Sequence, residues 1–267
     1  MIRATLKNAS FGEGVERRLF AAAAEASRSA GWTAYDSGKT AAAERHYATA
    51  LLAAASADDP VVAANTLAFW AIQHYSTGDL RGAVDLVEAA LSKAPKTGSA
   101  RMTSMLHARA CRAHARAGDT RAADRAANAA LVAYEHAGPI EDDLACVYWY
   151  NLGEAHQLIG SSALNLGELK RAVAHFLETS AAHTSQEAYN AAAFPRGHAI
   201  YLARLAEAHL SLGDVDAAVA TAHDAVDRMG GVTSARGTNT LEDLRKKLAR
   251  RRGVPVVADF LDYTGTE

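Results

Sequence analysis

His107, Cys111 and His114 stand at i, i+4 and i+7, which puts two imidazoles and a thiol on one stripe of a single helix. Such groups are good zinc or copper ligands, but a closed site asks for a fourth ligand and the sequence supplies none. Arg112 and Arg116 form an i, i+4 pair able to hold a carboxylate or phosphate by charge-assisted hydrogen bonds. The same pair could instead meet Asp or Glu of neighbouring segments as ordinary solvated charges. Asp58-Asp59 and Asp142-Asp143 are paired acids in loops or first helical turns, where solvated carboxylates are routine. Arg245-Lys246-Lys247 and Arg250-Arg251-Arg252 make the one basic cluster, suited to nucleic acid or an acidic partner, or to the solvent face at a helix C-terminus. No HExxH, Gly-rich phosphate loop, Gly-x-Ser-x-Gly elbow or CxxC is present. The expectation is therefore a protein that binds rather than catalyses, with no catalytic residue, no metal and no cofactor.

The elements that must carry these side chains are helices. Of the 267 residues 49% are hydrophobic but only 7% aromatic, and alanine runs through nearly every segment. Small side chains of high helix propensity suit helices packed at close quarters. A formal charge of -2 gives no global basic bias, so direct DNA binding by this chain is not expected. Two cysteines imply no disulfide framework and fit a reducing cytoplasm. No run of eighteen apolar residues occurs, and charged residues interrupt the N-terminus where a signal peptide would be apolar. No membrane association is expected.

A fixed period decides the architecture. Gly38, Gly78 and Gly118 are 40 and 40 residues apart, followed by Gly160 or Gly167 and then Gly213. An acid follows in Gly78-Asp79, Gly118-Asp119, Gly167-Glu168 and Gly213-Asp214, as where a left-handed glycine ends one helix and a carboxylate starts the next. At offsets 5, 9 and 12 beyond these glycines stand Ala43, Ala83, Ala123, Ala172 and Ala218, then Tyr47, Val87, Ala127, Phe176 and Ala222, then Ala50, Ala90, Ala130, Thr179 and Ala225. Those offsets share one helical face. Gly31, Ala71, Cys111, Gly153 and Ala206 are the matching small residues of the first helices.

This pattern resembles the tetratricopeptide repeat over roughly residues 20–230. The resemblance implies an all-α, right-handed superhelical solenoid of about five hairpins with a C-terminal capping helix, read as one domain over 1–267. The hairpins are expected at about 14–56, 60–93, 99–137, 140–182 and 196–229, the cap at 239–252 behind Thr240 and Asp243, and a tail at 253–267. Segment 183–195 could add a short helix. The spacing exceeds the family's 34 residues. In the fourth unit the turn glycine comes seven residues late, which either lengthens the helix by a heptad or breaks it at Gly160-Ser161-Ser162.

The stretches Ala30-Gly31-Trp32-Thr33-Ala34-Tyr35-Asp36-Ser37-Gly38 and Ser234-Ala235-Arg236, leading into Leu241, Leu244 and Leu248, also resemble the C-terminal sensor regions of actinobacterial helix-turn-helix regulators of the Cro/C1 type. That resemblance implies a sensing module tied to transcription. Only some thirty residues precede Gly31-Trp32 of the first hairpin, too few for a helix-turn-helix domain, so DNA binding is expected to carry over to no residue present. A stand-alone adaptor holding a precursor peptide or partner protein for biosynthetic enzymes is the alternative, and an enzyme using the groove as its active site a weaker one.

By resemblance, positions 2, 5, 9, 12 and 13 of each repeat face a concave groove. Trp32, Tyr35, Asn65, Tyr75, Arg112, Arg116, Tyr150, Glu154, Gln157 and Glu207 are the candidate ligand-binding residues among them. Aromatic walls, amides and charges of both signs suit a peptide, an amphipathic small molecule or a protein segment. A homodimer is left open. Trp32 and Tyr35 could stack on a ligand or cover the open N-terminal end of the stack. His74, His114, His156 and His209 recur at position 11, as packing residues or as a source of pH sensitivity.

Overall fold

In the computed structural model, residues 12–185, 194–231 and 234–265 are described. Among them every regular element is helical: α1 Glu13–Asp36, α2 Thr40–Ala57, α3 Pro60–Thr77, α4 Leu80–Leu91, α5 Ala94–Thr97, α6 Ala100–Ala117, α7 Thr120–Glu135, α8 Leu152–Asn165, α9 Leu169–Ser185, α10 Pro195–Leu212, α11 Val215–Met229, α12 Ala235–Ala249 and α13 Pro255–Tyr263. The sequence reads as one domain; the folded chain divides into two compact units, Met1–Trp149 and Tyr150–Glu267. Each is described by itself.

The Gly-Asp pairs do what their chemistry requires. Gly78 and Gly118 close α3 and α6 in the left-handed conformation, with φ of 101° and 80°. The next residue starts the following helix, its carboxylate accepting a backbone N–H three residues on: Asp79 from Gly82 at 2.9 Å and Asp119 from Ala122 at 2.9 Å. Orphan groups at both helix ends are thereby satisfied within two residues. Asp214 repeats the cap in the second unit, accepting from Ala217 at 3.1 Å.

Each hairpin is held by a small residue of the first helix set against a buried residue of the second. All fifteen residues at the three small-residue offsets of the second helices are at most 2% exposed. Where the first helix carries glycine, the second brings an aromatic ring onto it. A Cβ at Gly31 would lie 2.8 Å from the Tyr47 ring, and one at Gly160 would lie 3.2 Å from Phe176. The other hairpins set Ala71 with Val87, Cys111 with Ala127 and Ala206 with Ala222 at the same separation, all buried. In the two glycine hairpins the aromatic ring fills the space that the missing side chain leaves, as dense packing demands.

That pairing corrects the register of the fourth hairpin. Phe176 meets Gly160, not Gly153, so Gly160 holds the position that Gly31 holds in the first hairpin. The helix neither gains a heptad nor breaks at Gly160-Ser161-Ser162: α8 is one 14-residue helix running through all three. The seven extra residues precede it, where two 3-10 turns, Ile140–Asp142 and Ala145–Val147, replace the expected helical start at 140. Asn151 then caps α8, accepting from Glu154 at 2.9 Å.

In the first unit, α1, α3 and α6 pack side by side as an inner layer, with α2, α4 and α7 each laid against its hairpin partner. In the second unit α8 pairs with α9 and α10 with α11, and α12 and α13 close the end. The cap starts earlier than expected, at Ala235, because Ser234 takes the N-cap and accepts from Gly237 at 3.2 Å. Thr240 lies inside α12 with its hydroxyl on the Arg236 carbonyl at 2.8 Å. The tail docks: Val257, Phe260 and Leu261 share a core with Leu244, Leu248, Ala218 and Ala222. Of the stretch 183–195, residues 186–193 lie outside the described residues.

Candidate binding groove

Phe69, on the inner layer of the first unit, gathers groups from α1, from α6 and from the segment that follows α7. The Arg28 guanidinium of α1 lies 5.0 Å from its ring centre and that of Arg109 of α6 lies 5.9 Å away. Trp32 meets the ring edge-to-face at 5.0 Å and Trp149 does so at 5.9 Å. Arg28 is paired with Glu25 one turn earlier on the same helix. Arg109 is different. It is 7% exposed, its Nε has no hydrogen-bond partner, and no carboxylate pairs with it among the described residues. Its visible support is the faces of Phe69 and Trp149, the latter at 5.5 Å. Aromatic faces attract a cation, but do not replace the water or carboxylate that a buried guanidinium normally finds. Asn65, one helical turn before Phe69, is 1% exposed with neither amide atom hydrogen-bonded. The inner layer therefore holds a donor fork and an amide with unspent hydrogen-bond capacity.

Between α7 and the second unit the chain returns across this layer as segment 138–149. The Asp143 carboxylate receives the Ser99 hydroxyl at 2.6 Å, the Leu144 N–H at 2.7 Å and Arg101 Nε at 3.3 Å. Arg101 also donates to the Gly138 carbonyl at 2.6 Å and to the Tyr134 hydroxyl at 3.1 Å. Arg101 is buried and Asp143 largely covered, with side chains 5% and 10% exposed. Asp143 is thus no solvated helix-start acid, contrary to expectation. Farther along, the Trp149 indole N–H returns to the Cys146 carbonyl at 3.1 Å. Burial, and the Glu25 carboxylate after it, push the Cys146 thiol up to about 11, so it stays protonated and a poor nucleophile.

The candidate residues are distributed unevenly. Trp32 is half-buried in the aromatic cluster, and Tyr35, tilted against it at 5.8 Å, is buried. Tyr75 is buried under the Arg112 guanidinium, 5.5 Å from its ring, and Arg112 is itself 4% exposed. Arg116 is exposed, with Nε on the Tyr75 carbonyl at 3.2 Å, so the two arginines converge on one tyrosine. In the second unit the corrected register moves the inner positions by seven residues. Glu154 and Gln157 stay among them, buried and half-buried, as positions 2 and 5. Tyr150 drops out: it precedes α8, is fully buried, and presents no surface to a ligand. Glu207 is half-buried and paired with Lys247 of α12. Phe69, Arg109, Arg101, Asp143 and Trp149 were not among the expected residues. Phe69 and Arg109 both lie nine residues before a turn glycine, a recurrence that would have found them.

The other chemistry-bearing groups resolve locally. His107 is half-buried and held below its ordinary value by burial, and Cys111 is buried. Among the described residues no three His, Cys, Asp or Glu side chains are grouped to hold a metal ion. His74 pairs through Nδ1 with Asp79 at 2.7 Å, bracing the Gly-Asp turn. His156 leaves the position-11 series once Gly160 sets the register, and faces His175 of α9 with Nδ1 to Nδ1 at 2.9 Å. The basic cluster is divided among ties: Arg245 holds the Leu261 carbonyl at 3.3 Å and Thr264 at 3.1 Å, Lys246 meets Asp243 and Arg252 meets Asp262. No described helix is long and apolar enough to cross a membrane.

This architecture matches known folds. A thermophilic TPR protein from Thermus thermophilus superposes with a TM-score of 0.51 at 19% identity, covering 85% of this chain and 100% of its own. BtubC from P. vanneervenii gives 0.50 at 15% identity, covering 84% and 94%. The fold is of the tetratricopeptide type. No family model and no curated protein matches the sequence. At such identities the likeness concerns the TPR architecture, and function has to be read from the groove.

Proposed function

We propose that this TPR-type chain is a non-catalytic binding module that takes an extended peptide, or a segment of a partner protein, along the inner faces of α1, α3 and α6. The observation that carries this reading is Arg109, a buried guanidinium without a carboxylate, held between two aromatic rings. A buried unpaired charge is costly, and such a cost is commonly retained where a ligand supplies the missing partner. Arg28 and Trp32 extend the same surface and Asn65 adds an amide, which together suit a ligand bearing carboxylates and aromatic groups. Arg112 and Arg116, converging on Tyr75, are proposed as a second cationic contact farther along α6.

The resemblance of 30–38 and 234–248 to regulator sensor regions supports a narrower reading, in which the module senses a peptide for a transcriptional regulator. Among the described residues Cys111 and Cys146 are not joined in a disulfide, which fits work in a reducing cytoplasm. The test is a titration of fluorescent peptides bearing Asp or Glu together with Trp or Phe, against the wild-type chain and Arg109→Met. Saturable binding that falls at least about tenfold in the variant is expected for a charge-assisted contact. Equal binding by both proteins, or by neither, removes the assignment.

A further inference from the structure

Segment 138–149 is held to the first unit in an unusual way. Its backbone hydrogen bonds are short-range turns within itself, such as Asp143 N–H to the Ile140 carbonyl at 3.3 Å and Val147 N–H to the Leu144 carbonyl at 3.0 Å. Its ties to the helices include two side-chain anchors and one carbonyl. Asp143 sits on Ser99 and Arg101 at the start of α6, Gly138 gives its carbonyl to Arg101, and six residues after Asp143 the Trp149 ring sits against Phe69 and Arg109. Between the anchors Cys146 passes within electrostatic reach of Glu25, Arg28 and Asp59. The segment therefore runs from α6 across α3 toward α1, over the inner layer. Outward it shows Glu141, Asp142, Ala145 and Tyr148, the last 63% exposed. A peptide bound by this groove would show the same features: no α-helix or strand, a carboxylate and an aromatic ring as anchors, and the intervening side chains partly facing solvent.

We infer that segment 138–149 is a tethered occupant of this groove, and that the groove's ligand is an extended peptide carrying a carboxylate and, about six residues later, an aromatic side chain, which competes with the segment for Arg101 and for the Phe69–Arg109 pair. The inference rests on the groove reading above and goes further, in naming the ligand's two anchors and the element it displaces. The segment satisfies Arg101 but leaves Arg109 and Asn65 without hydrogen-bond partners, so a ligand offering an acceptor at those two groups binds with more hydrogen bonds than the tether makes. A tether also competes at an effective concentration in the millimolar range, and raises the apparent Kd of a free peptide by the reciprocal of the open fraction.

The experiment uses the full-length chain and a labelled peptide copying residues 138–149, with Ser in place of Cys146. Binding is measured to the wild type and to the released variant Asp143→Ala/Trp149→Ala. A segment that is closed about nine-tenths of the time gives a Kd about tenfold tighter for the released variant, and the preference disappears when the peptide itself lacks the Asp and the Trp. Should the variant fail to fold by circular dichroism, hydrogen exchange of the wild type decides, because millimolar peptide must then raise exchange across 138–149. Equal binding by both proteins, or exchange in 138–149 unchanged under saturating peptide, overturns the inference. External acidic-aromatic peptides that need Arg109 but bind both forms equally leave the groove reading standing and remove only the tether. A released variant that gains its own segment but no external peptide does the reverse.

Discussion

The two units are built from the same hairpin and differ in what their first helices carry. In the first, α1, α3 and α6 bring Arg28, Arg101 and Arg109 together with Trp32 and Phe69, and the chain's own acidic segment lies across them. In the second, α8 and α10 carry Glu154, Gln157 and Glu207, and the Glu207 carboxylate is taken by Lys247 of the terminal helix α12. One unit places a charge pair under cover and leaves a third charge uncompensated. The other keeps its pair half in water. The repeat frame thus fixes helix packing, while the residues on the inner faces decide how much electrostatic cost each unit carries.

The largest effect that would break this comparison is at the buried pair. Arg101→Ala leaves the Asp143 carboxylate buried without its cation and should destabilise the chain by about 3–5 kcal/mol, read by urea unfolding. The matched change in the second unit, Glu207→Gln, should cost under about 1 kcal/mol, because that pair is 27% and 39% exposed. Similar losses at the two sites would erase the distinction. Next in size is the glycine–aromatic packing shared by both units. Gly31→Ala should cost about 1–3 kcal/mol by driving a methyl group into the Tyr47 ring, and adding Tyr47→Val should recover most of it by recreating the Ala71–Val87 arrangement. Failure of the second change to rescue the first would mean that the two sites do not exchange volume.

A smaller, pH-dependent difference belongs to the second unit. Burial holds His156 and His175 below the ordinary 6.5, and burial together with the neighbouring His156 takes His175 down to about 4. The folded chain therefore favours the neutral pair, and the unfolded chain takes up protons first as the pH falls. The stabilisation is complete above pH 6.5 and is lost between 6.5 and about 4. His175→Gln should flatten that part of the stability profile, and a profile unchanged by the substitution would contradict the shift. Arg109→Met should change stability least, since an apolar side chain fits between Phe69 and Trp149 without a buried charge. Its effect belongs to binding.

The helical frame was legible because turn chemistry and packing leave local marks: Gly78-Asp79 and Gly118-Asp119 each end one helix and cap the next within two residues. The fourth hairpin was misregistered because Gly153 and Gly160 are a heptad apart, and one helix face looks the same from either. The turn glycine Gly167, seven residues beyond Gly160, favours the later register, and the contact with Phe176, sixteen residues beyond Gly160, fixes it. Most of the groove was hidden for a different reason. Asp143 reads as a routine helix-start acid, and its pairing with Arg101 depends on a return of the chain that no periodicity announces. Trp149 stands outside every repeat position, so no register could assign it.

The most direct measurement is hydrogen–deuterium exchange of the full-length chain with and without a bound acidic-aromatic peptide. The expected result is faster exchange across 138–149 in the complex and slower exchange in the inner helices α1, α3 and α6, with the second unit unchanged. Protection that stays the same or increases across 138–149 while the peptide is bound would contradict a groove already occupied by its own chain.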